Sequence, residues 1–146
     1  MTANRSAPIA FRFHHVGLAV HSLDASAEAL GAAGLVRAPE WPDAVDAALK
    51  VRLRFLRGGP DQPLIELVEG LGAGNPVSRL LDTSGPGPYH LCFSVENLEA
   101  SATHLRQHAY RPITGRIPAA AFGGALVQFF FHQQCGLIEL VEPPSA

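Results

Sequence analysis

The sequence predicts an α+β fold made of two similar halves that share one core. The first observation is an identical hexapeptide, Leu-Ile-Glu-Leu-Val-Glu, at residues 64–69 and again at 137–142. The second is a pair of histidine-led segments, 15–20 and 90–95. The offsets are 90 − 15 = 75 for the histidines and 139 − 66 = 73 for the glutamates. A repeat of that length is too long for a solenoid unit and too short for an independent domain, so two half-domains fit better.

Length and composition exclude several classes of protein. The 146 residues suit one domain with a real core, and 47% are hydrophobic, as in soluble globular proteins. A net charge of −2 gives no electrostatic reason to bind nucleic acid or an anionic membrane. No apolar run reaches the roughly 20 residues that cross a membrane.

The location of the protein is also indicated by its composition. Residues 1–8 lack the long apolar centre of a signal peptide. Two cysteines give no disulfide framework and suit a reducing cytoplasm. The excess of arginine over a single lysine is typical of GC-rich bacterial genomes. We therefore expect a cytoplasmic bacterial protein.

The first half reads as strand, helix and further strands. Residues 11–20 predict a strand in which the neighbours His14 and His15 point to opposite faces, and the repeat aligns His15 with His90. Replacing His14 is then expected to leave any site at His15 intact. Further elements are a helix over 22–31, a loop over 39–46, a strand over 48–56 and the first hexapeptide strand over 64–69.

The strand over 48–56 alternates clearly, with its apolar side chains inward and Lys50, Arg52 and Arg54 outward. The basic face could bind an anionic substrate, but a solvated strand face is the more common explanation. The glycine-rich segment 70–76 joins the halves and lacks the spacing and the lysine of a phosphate loop.

The second half repeats the order of the first. We predict a short helix over 76–81, a strand over 89–95, a helix capped by Asn97, a small-residue loop over 119–124, and strands over 125–131 and 136–141. His104 and His108 have a spacing that can bind metal, but no third ligand accompanies them, so an exposed pair is favoured.

One histidine and one glutamate from each half form the chemical constellation of the chain. A carboxylate within so apolar a strand is expensive to bury without a partner, and the same anomaly occurring twice favours a shared ligand. Two neutral imidazoles and two carboxylates balance a divalent cation, and mixed nitrogen and oxygen ligands suit Zn²⁺, Co²⁺, Ni²⁺, Mn²⁺ or Fe²⁺. The predicted ligands are His15, Glu66, His90 and Glu139.

Because of these residues, the chain resembles the vicinal oxygen chelate superfamily, which includes glyoxalase, bleomycin resistance and dioxygenase proteins. Within that superfamily it resembles the methylmalonyl-CoA epimerase and glyoxalase branch. The resemblance runs from His15 to Glu142 and is carried by segments 15–20, 64–67, 75–81, 90–93, 123–124 and 136–140. It implies two βαβββ modules, about 11–70 and 88–143 of a single domain over 1–146, that form a cupped mixed sheet around one metal.

The resemblance also implies the chemistry. His15, Glu66, His90 and Glu139 match the four ligand positions of the family, and the substrate binds through two neighbouring oxygens while the metal stabilises an enolate. We expect an isomerase, epimerase or lyase that transfers a proton next to a carbonyl. The substrate would be an acyl-CoA or a hemithioacetal, and the protein a homodimer.

The chain departs from the family pattern at several positions. His14 stands where epimerases often have Asp, Tyr89 precedes His90 where many members have a second histidine, and the segment 131–136 is shorter than usual. Leu53 falls nearest a position where some epimerases carry a catalytic Glu, and a leucine cannot move a proton. Glu139 or Glu66 is therefore the expected acid–base residue.

Two other functions remain open from the sequence. An extradiol-type Fe²⁺ dioxygenase uses two histidines and one carboxylate, but Glu66 as a fourth ligand would occupy a position that oxygen and substrate need. A metal-free small-molecule binding or resistance protein of the same fold is the other alternative, against which the complete ligand set argues.

Overall fold

The computed structural model describes residues 9–143, so most of the expected N-terminal lead-in lies outside the described residues. The first half contains β1 (Arg12–Val20), α1 (Leu23–Gly31), β2 (Val36–Arg37), β3 (Ala44–Asp46), β4 (Val51–Arg57) and β5 (Leu64–Gly70). After α2 (Ser78–Ser84), the second half contains β6 (Gly87–Ser94), α3 (Leu98–Gln107), β7 (Arg111–Pro112), β8 (Ile117–Ala119), a 3₁₀ turn (Ala120–Phe122), β9 (Ala125–His132) and β10 (Gly136–Glu142).

The strands form one mixed sheet whose order is β2-β4-β5-β1-β6-β10-β9-β7, with β3 on β4 and β8 on β9. The antiparallel pair β1 and β6 lies at the centre, β5 runs parallel to β1, and β10 runs parallel to β6. The two identical hexapeptides therefore occupy equivalent positions on either side of the central pair. The predicted α+β fold with a mixed sheet is confirmed.

The helices α1 and α3 cover one face of this sheet. Leu98, Ala102 and Leu105 of α3 pack with Phe130 and Leu140, and all five are buried. On the other half Leu23 of α1 packs with buried residues Val20, Leu56 and Leu67. Burying these side chains supplies the apolar stabilisation of the fold, at about 1.5–3 kcal/mol for each large one.

The N-termini of α1 and α3 are capped in the same way. The Ser22 hydroxyl accepts from the Ala25 N–H, and the Asn97 side chain accepts from the Ala100 N–H, which confirms the predicted cap at Asn97. Each cap satisfies one of the backbone N–H groups that the first turn of a helix leaves without a partner.

The strand β4 differs from the sequence expectation at two places. It begins at Val51 rather than at residue 48, since Lys50 adopts a left-handed backbone with φ 54°. Arg54 was expected outward in solvent, but it is only 7% exposed and donates to the carboxylates of Asp43 and Asp24 at 2.9 Å. The expectation failed because the loop before β3 folds back over this part of β4 and supplies the ion-pair partner.

The strand β1 carries a bulge at His14. Phe13 pairs with Phe93 and His15 pairs with Cys92, so two steps along β1 match one step along β6. The expectation that the rings of His14 and His15 point to opposite faces is wrong, because a bulge interrupts the alternation on which it depended. The two rings lie edge to face, with centroids 5.0 Å apart.

Within residues 9–143, no helix is both long enough and apolar enough to pass through a lipid bilayer.

Candidate metal centre

The four predicted ligands come together at the centre of the sheet. His15 Nε2 lies 3.1 Å from His90 Nε2, 3.5 Å from Glu66 Oε1 and 3.3 Å from Glu139 Oε1. His90 Nε2 lies 3.6 Å from Glu66 Oε1 and 3.4 Å from Glu139 Oε1. None of the four residues is more than 4% exposed. One ligand atom from each lies within 4.8 Å of the others, a spacing that could hold one metal ion.

Strand register explains this convergence. His15 pairs with Leu64 on the parallel strand β5, so Glu66 lies two residues further along and on the same face. Leu137 of β10 pairs with His90 in the same way and places Glu139 two residues on. The histidine and the glutamate of each half therefore lie side by side, and the two pairs face each other at the site.

Gly17 makes room for the imidazole of His90. The two residues pair across β1 and β6, and a Cβ on Gly17 would lie only 2.1 Å from His90 Cε1 and 2.3 Å from His90 Nδ1. A glycine of the first half therefore leaves the space that the histidine of the second half occupies.

Aromatic rings hold His15 from two sides. Phe122 stacks on its imidazole at a centroid distance of 5.9 Å, and Phe55 meets it edge to face at 5.7 Å. This packing limits rotation of the ring and keeps Nε2 aimed at His90.

The site carries an excess of negative charge that favours a cation. Burial lowers the pKa of His15, but the charges and hydrogen-bonding capacity of Glu66 and Glu139 raise it by more, to about 9. Burial raises the pKa of Glu139, but the close approach of His15 and His90 lowers it by more, so it stays well below its usual value. The electrostatics of the cluster therefore demand a bound proton or a bound metal ion.

Two buried polar atoms in the cluster, Glu139 Oε1 and His90 Nδ1, have no hydrogen-bond partner among the described residues. Leaving such an atom unsatisfied costs about 1–3 kcal/mol. A divalent ion bound between the four side chains would satisfy Glu139 Oε1, so the donor set fits the metal that the sequence predicted.

A second group that could hold a metal combines His14, His15 and Cys92. Burial raises the pKa of the Cys92 thiol well above its usual value, and the charges of Glu139 and Glu66 raise it further. A thiol that keeps its proton is a poor ligand, so this group is the weaker candidate. His104 and His108 belong to neither group.

Beside the four-residue cluster lies an apolar cavity of about 130 Å³. Glu66 and Glu139 line it and thereby belong to both the cluster and the cavity. Leu53, the residue nearest a position where some epimerases carry a catalytic Glu, also lines it. The segment predicted as a small-residue loop, 119–124, contributes Ala121 and Phe122 of the 3₁₀ turn to the wall.

Three polar residues of the cavity, Asp46, Tyr89 and Thr114, were not predicted from the sequence as site residues. Asp46 is 4% exposed, and its Oδ1 accepts from the Leu49 N–H at 3.0 Å. Burial raises the pKa of Tyr89 well above its usual value, and the charges of Glu66 and Glu139 raise it further. The only signal in the sequence for Tyr89 was its position directly before His90.

Comparison with known proteins agrees with the fold. Residues 14–129 match the family described as the glyoxalase, bleomycin resistance protein and dioxygenase superfamily. An ethylmalonyl-CoA/methylmalonyl-CoA epimerase of Cereibacter sphaeroides is 31% identical over 123 residues, which are 81% of this chain and 86% of that protein.

Solved structures show the same architecture. Methylmalonyl-CoA epimerase from Mycobacterium tuberculosis superposes with a TM-score of 0.80 at 24% identity, over 97% of this chain and 95% of that one. A variant of methylmalonyl-CoA epimerase from Streptomyces coelicolor, in complex with 2-nitronate-propionyl-CoA, gives 0.72 at 24% identity over 92% and 98%. At 24% identity these structures show only that the fold is the same. The family is shown by the family match and by the Cereibacter relative. The protein belongs to the glyoxalase, bleomycin resistance protein and dioxygenase superfamily.

Proposed function

We propose that the protein is a metal-dependent isomerase that moves a proton on the carbon next to a carbonyl group. Methylmalonyl-CoA and ethylmalonyl-CoA are the first substrates to test, because the Cereibacter relative is named as an epimerase of both. The observation that carries the proposal is that Glu66 and Glu139 face His15 and His90 on one side and the apolar cavity on the other. The same carboxylates can thus serve a metal and a substrate.

His15, Glu66, His90 and Glu139 would hold one divalent ion, Co²⁺, Zn²⁺, Ni²⁺, Mn²⁺ or Fe²⁺. When bound, such an ion supplies a Lewis acid that stabilises negative charge on a substrate oxygen. The histidines contribute neutral nitrogen donors, and their fixed rings keep the centre in place while the carboxylates move.

Glu139 and Glu66 are the proposed acid–base residues. Each carboxylate comes from a different half of the chain, so the two approach the site from different strands. Epimerisation needs a proton to be removed from one face of a carbon and returned to the other face, and two separate carboxylates suit that task. The close approach of His15 and His90 keeps the pKa of Glu139 low, which makes it a weak base while it faces them. Proton transfer therefore requires the Oε atoms of one glutamate to turn from the histidines toward the substrate carbon.

Asp46 is a third carboxylate on the cavity wall and stands outside the metal group. Its Oδ1 is used by the Leu49 N–H, which leaves Oδ2 available to the cavity. It is the natural comparison for the two glutamates, since it could accept a proton without leaving a metal.

The wall of the cavity indicates the shape of the substrate near its reacting carbon. Leu49, Val51, Leu53, Val68 and Phe129 are among its lining residues. A short alkyl branch on the reacting carbon would bury apolar surface there, at about 25 cal/mol per Å². Methyl and ethyl branches fit this description, as does the small alkyl end of a hemithioacetal.

The test is exchange of the substrate α-hydrogen in D₂O, followed by NMR over a panel of acyl-CoAs and hemithioacetals. We expect metal-dependent exchange with at least one panel member, lost in Glu139→Gln or Glu66→Gln and kept in Asp46→Asn. If Asp46→Asn alone abolishes exchange while metal stays bound, Asp46 is the base. If fully metallated protein exchanges no panel member, the proposal fails and binding without turnover becomes the better account.

The alternatives make different predictions in the same preparation. A dioxygenase would consume O₂ with a catechol and require Fe²⁺, and a sequestering protein would bind its ligand after metal removal. We further propose a cytoplasmic homodimer. A cytoplasmic location fits the free cysteines Cys92 and Cys135, and light scattering tests the dimer.

A further inference from the structure

The two histidines at the centre differ in what meets their second ring nitrogen. His15 Nδ1 lies 2.8 Å from His14 Nδ1, whereas His90 Nδ1 has no hydrogen-bond partner among the described residues. The two histidines are otherwise equivalent in the repeat. The asymmetry arises because a histidine precedes His15 while Tyr89 precedes His90 and meets its ring edge to face.

The bulge in β1 is what brings His14 to this position. In a regular strand its side chain would leave the sheet on the other face, but the register shift between Phe13 and His15 turns it back toward its neighbour. The ring is then held edge to face by Trp41 at 5.4 Å and Phe122 at 5.3 Å. His14 is half-buried, so the contact is part of the packed structure.

Two ring nitrogens at 2.8 Å require one to donate and the other to accept. If His15 Nδ1 donates, its proton is on Nδ1 and the lone pair of Nε2 is free to face the site. If His15 Nδ1 accepted instead, the proton of a neutral His15 would be on Nε2, between His90 and the two glutamates, and would block a metal.

We propose that His14 is a positioning residue whose Nδ1 accepts a hydrogen bond from His15 Nδ1–H and thereby presents His15 Nε2 to a metal ion. The metal part rests on the proposed function, and the hydrogen bond itself does not. Outer partners of this kind typically change metal affinity by about 10- to 100-fold. The proposal reverses the expectation from the sequence that His14 could be replaced without effect.

The test separates the acceptor from the packing of the ring. His14→Phe keeps an aromatic ring between Trp41 and Phe122 but has no acceptor. His14→Asn loses the ring but keeps an acceptor, because its side-chain oxygen is attached to Cγ, as Nδ1 is in histidine. His21→Ala, an exposed histidine with no contact to the site, is the control. Zn²⁺ affinity is measured for each variant by competition with a chelator.

We expect His14→Phe and His14→Ala to bind Zn²⁺ about 10- to 100-fold more weakly, and His14→Asn and His21→Ala to stay near the wild type. In ¹⁵N-labelled wild type without metal, a through-hydrogen-bond coupling should join His14 Nδ1 and His15 Nδ1. Wild-type affinity in His14→Phe, weak binding in His14→Asn, or no coupling would overturn the proposal. If the wild type binds no Zn²⁺, the proposed function fails, and the coupling still decides whether the hydrogen bond exists.

Discussion

A buried pair of carboxylates beside two imidazoles attracts a cation, and the raised pKa of His15 predicts that in metal-free protein this cation is a proton on its imidazole. The pKa of His15 is raised from 6.5 to about 9, because Glu66 and Glu139 outweigh its burial. Near pH 7.5 His15 of the metal-free site therefore carries a proton on the nitrogen that would bind a metal, and it must lose this proton to act as a ligand. Metal binding should release it.

The release is measurable by calorimetry of Zn²⁺ binding in buffers of different ionisation enthalpy. We expect close to one proton released per metal between pH 7 and 8, decreasing as the pH rises through about 9. The apparent affinity should rise with pH over the same range. A release near zero at pH 7 would show that His15 is already neutral and contradict the electrostatic account of the site.

Gly17→Ala tests the space that the sheet leaves for His90. The added Cβ would overlap the imidazole, since its distance to His90 Cε1 would be 2.1 Å. The ring must move, so we expect metal affinity to fall at least about tenfold while the protein remains folded by circular dichroism. Gly31→Ala is the matched control, because a Cβ there meets nothing within 4 Å. Unchanged affinity in Gly17→Ala would mean that His90 is not a ligand.

At the scale of elements, the repeated hexapeptide serves both faces of the sheet. Glu66 and Glu139 point into the site, and the glutamates three residues later point to the opposite face. There Glu69 Oε2 accepts from the Leu23 N–H at 2.9 Å, and Glu142 Oε2 accepts from the Leu98 N–H at 2.8 Å. Each closing strand thus binds the first residue of the helix in its own half.

Replacing Glu142 by alanine should destabilise the protein by about 1–2 kcal/mol, because the helix loses a charged acceptor at its N-terminus. The measurement is the free energy of unfolding in urea, with exposed Glu96→Ala as the control. Metal affinity should change little, since the lost contact lies on the helix face. If Glu142→Ala were as stable as the control, the second glutamate of the hexapeptide would not stabilise the helix of its half.

Elements differ in how well the sequence predicts them. The long strands and both capped helices could be predicted, because periodicity and caps are local properties of the chain. The short strands β2, β3, β7 and β8 could not, since two or three residues carry no period. The burial of Arg54 was missed for a related reason: its partners Asp24 and Asp43 come from a helix and a loop that only the tertiary fold brings near.

At the scale of the molecule, the site joins the two halves. We propose that modules of about 11–70 and 88–143 fold as one domain, because β1 and β6 pair at the centre and each half supplies two of the four ligands. The repeat in the sequence was sufficient to predict which four residues meet. It could not predict Asp46, Tyr89 or Thr114, which the tertiary fold rather than the repeat brings to the cavity.

The most direct test of the account is a titration of metal-free protein with a divalent ion, in which α-hydrogen exchange of methylmalonyl-CoA in D₂O is followed at each addition. We predict that exchange rises with metal, levels off at one equivalent per chain, and is lost together with metal binding in His15→Ala. Exchange that is complete before any metal is added, or that stays at zero with one equivalent bound, would contradict the account.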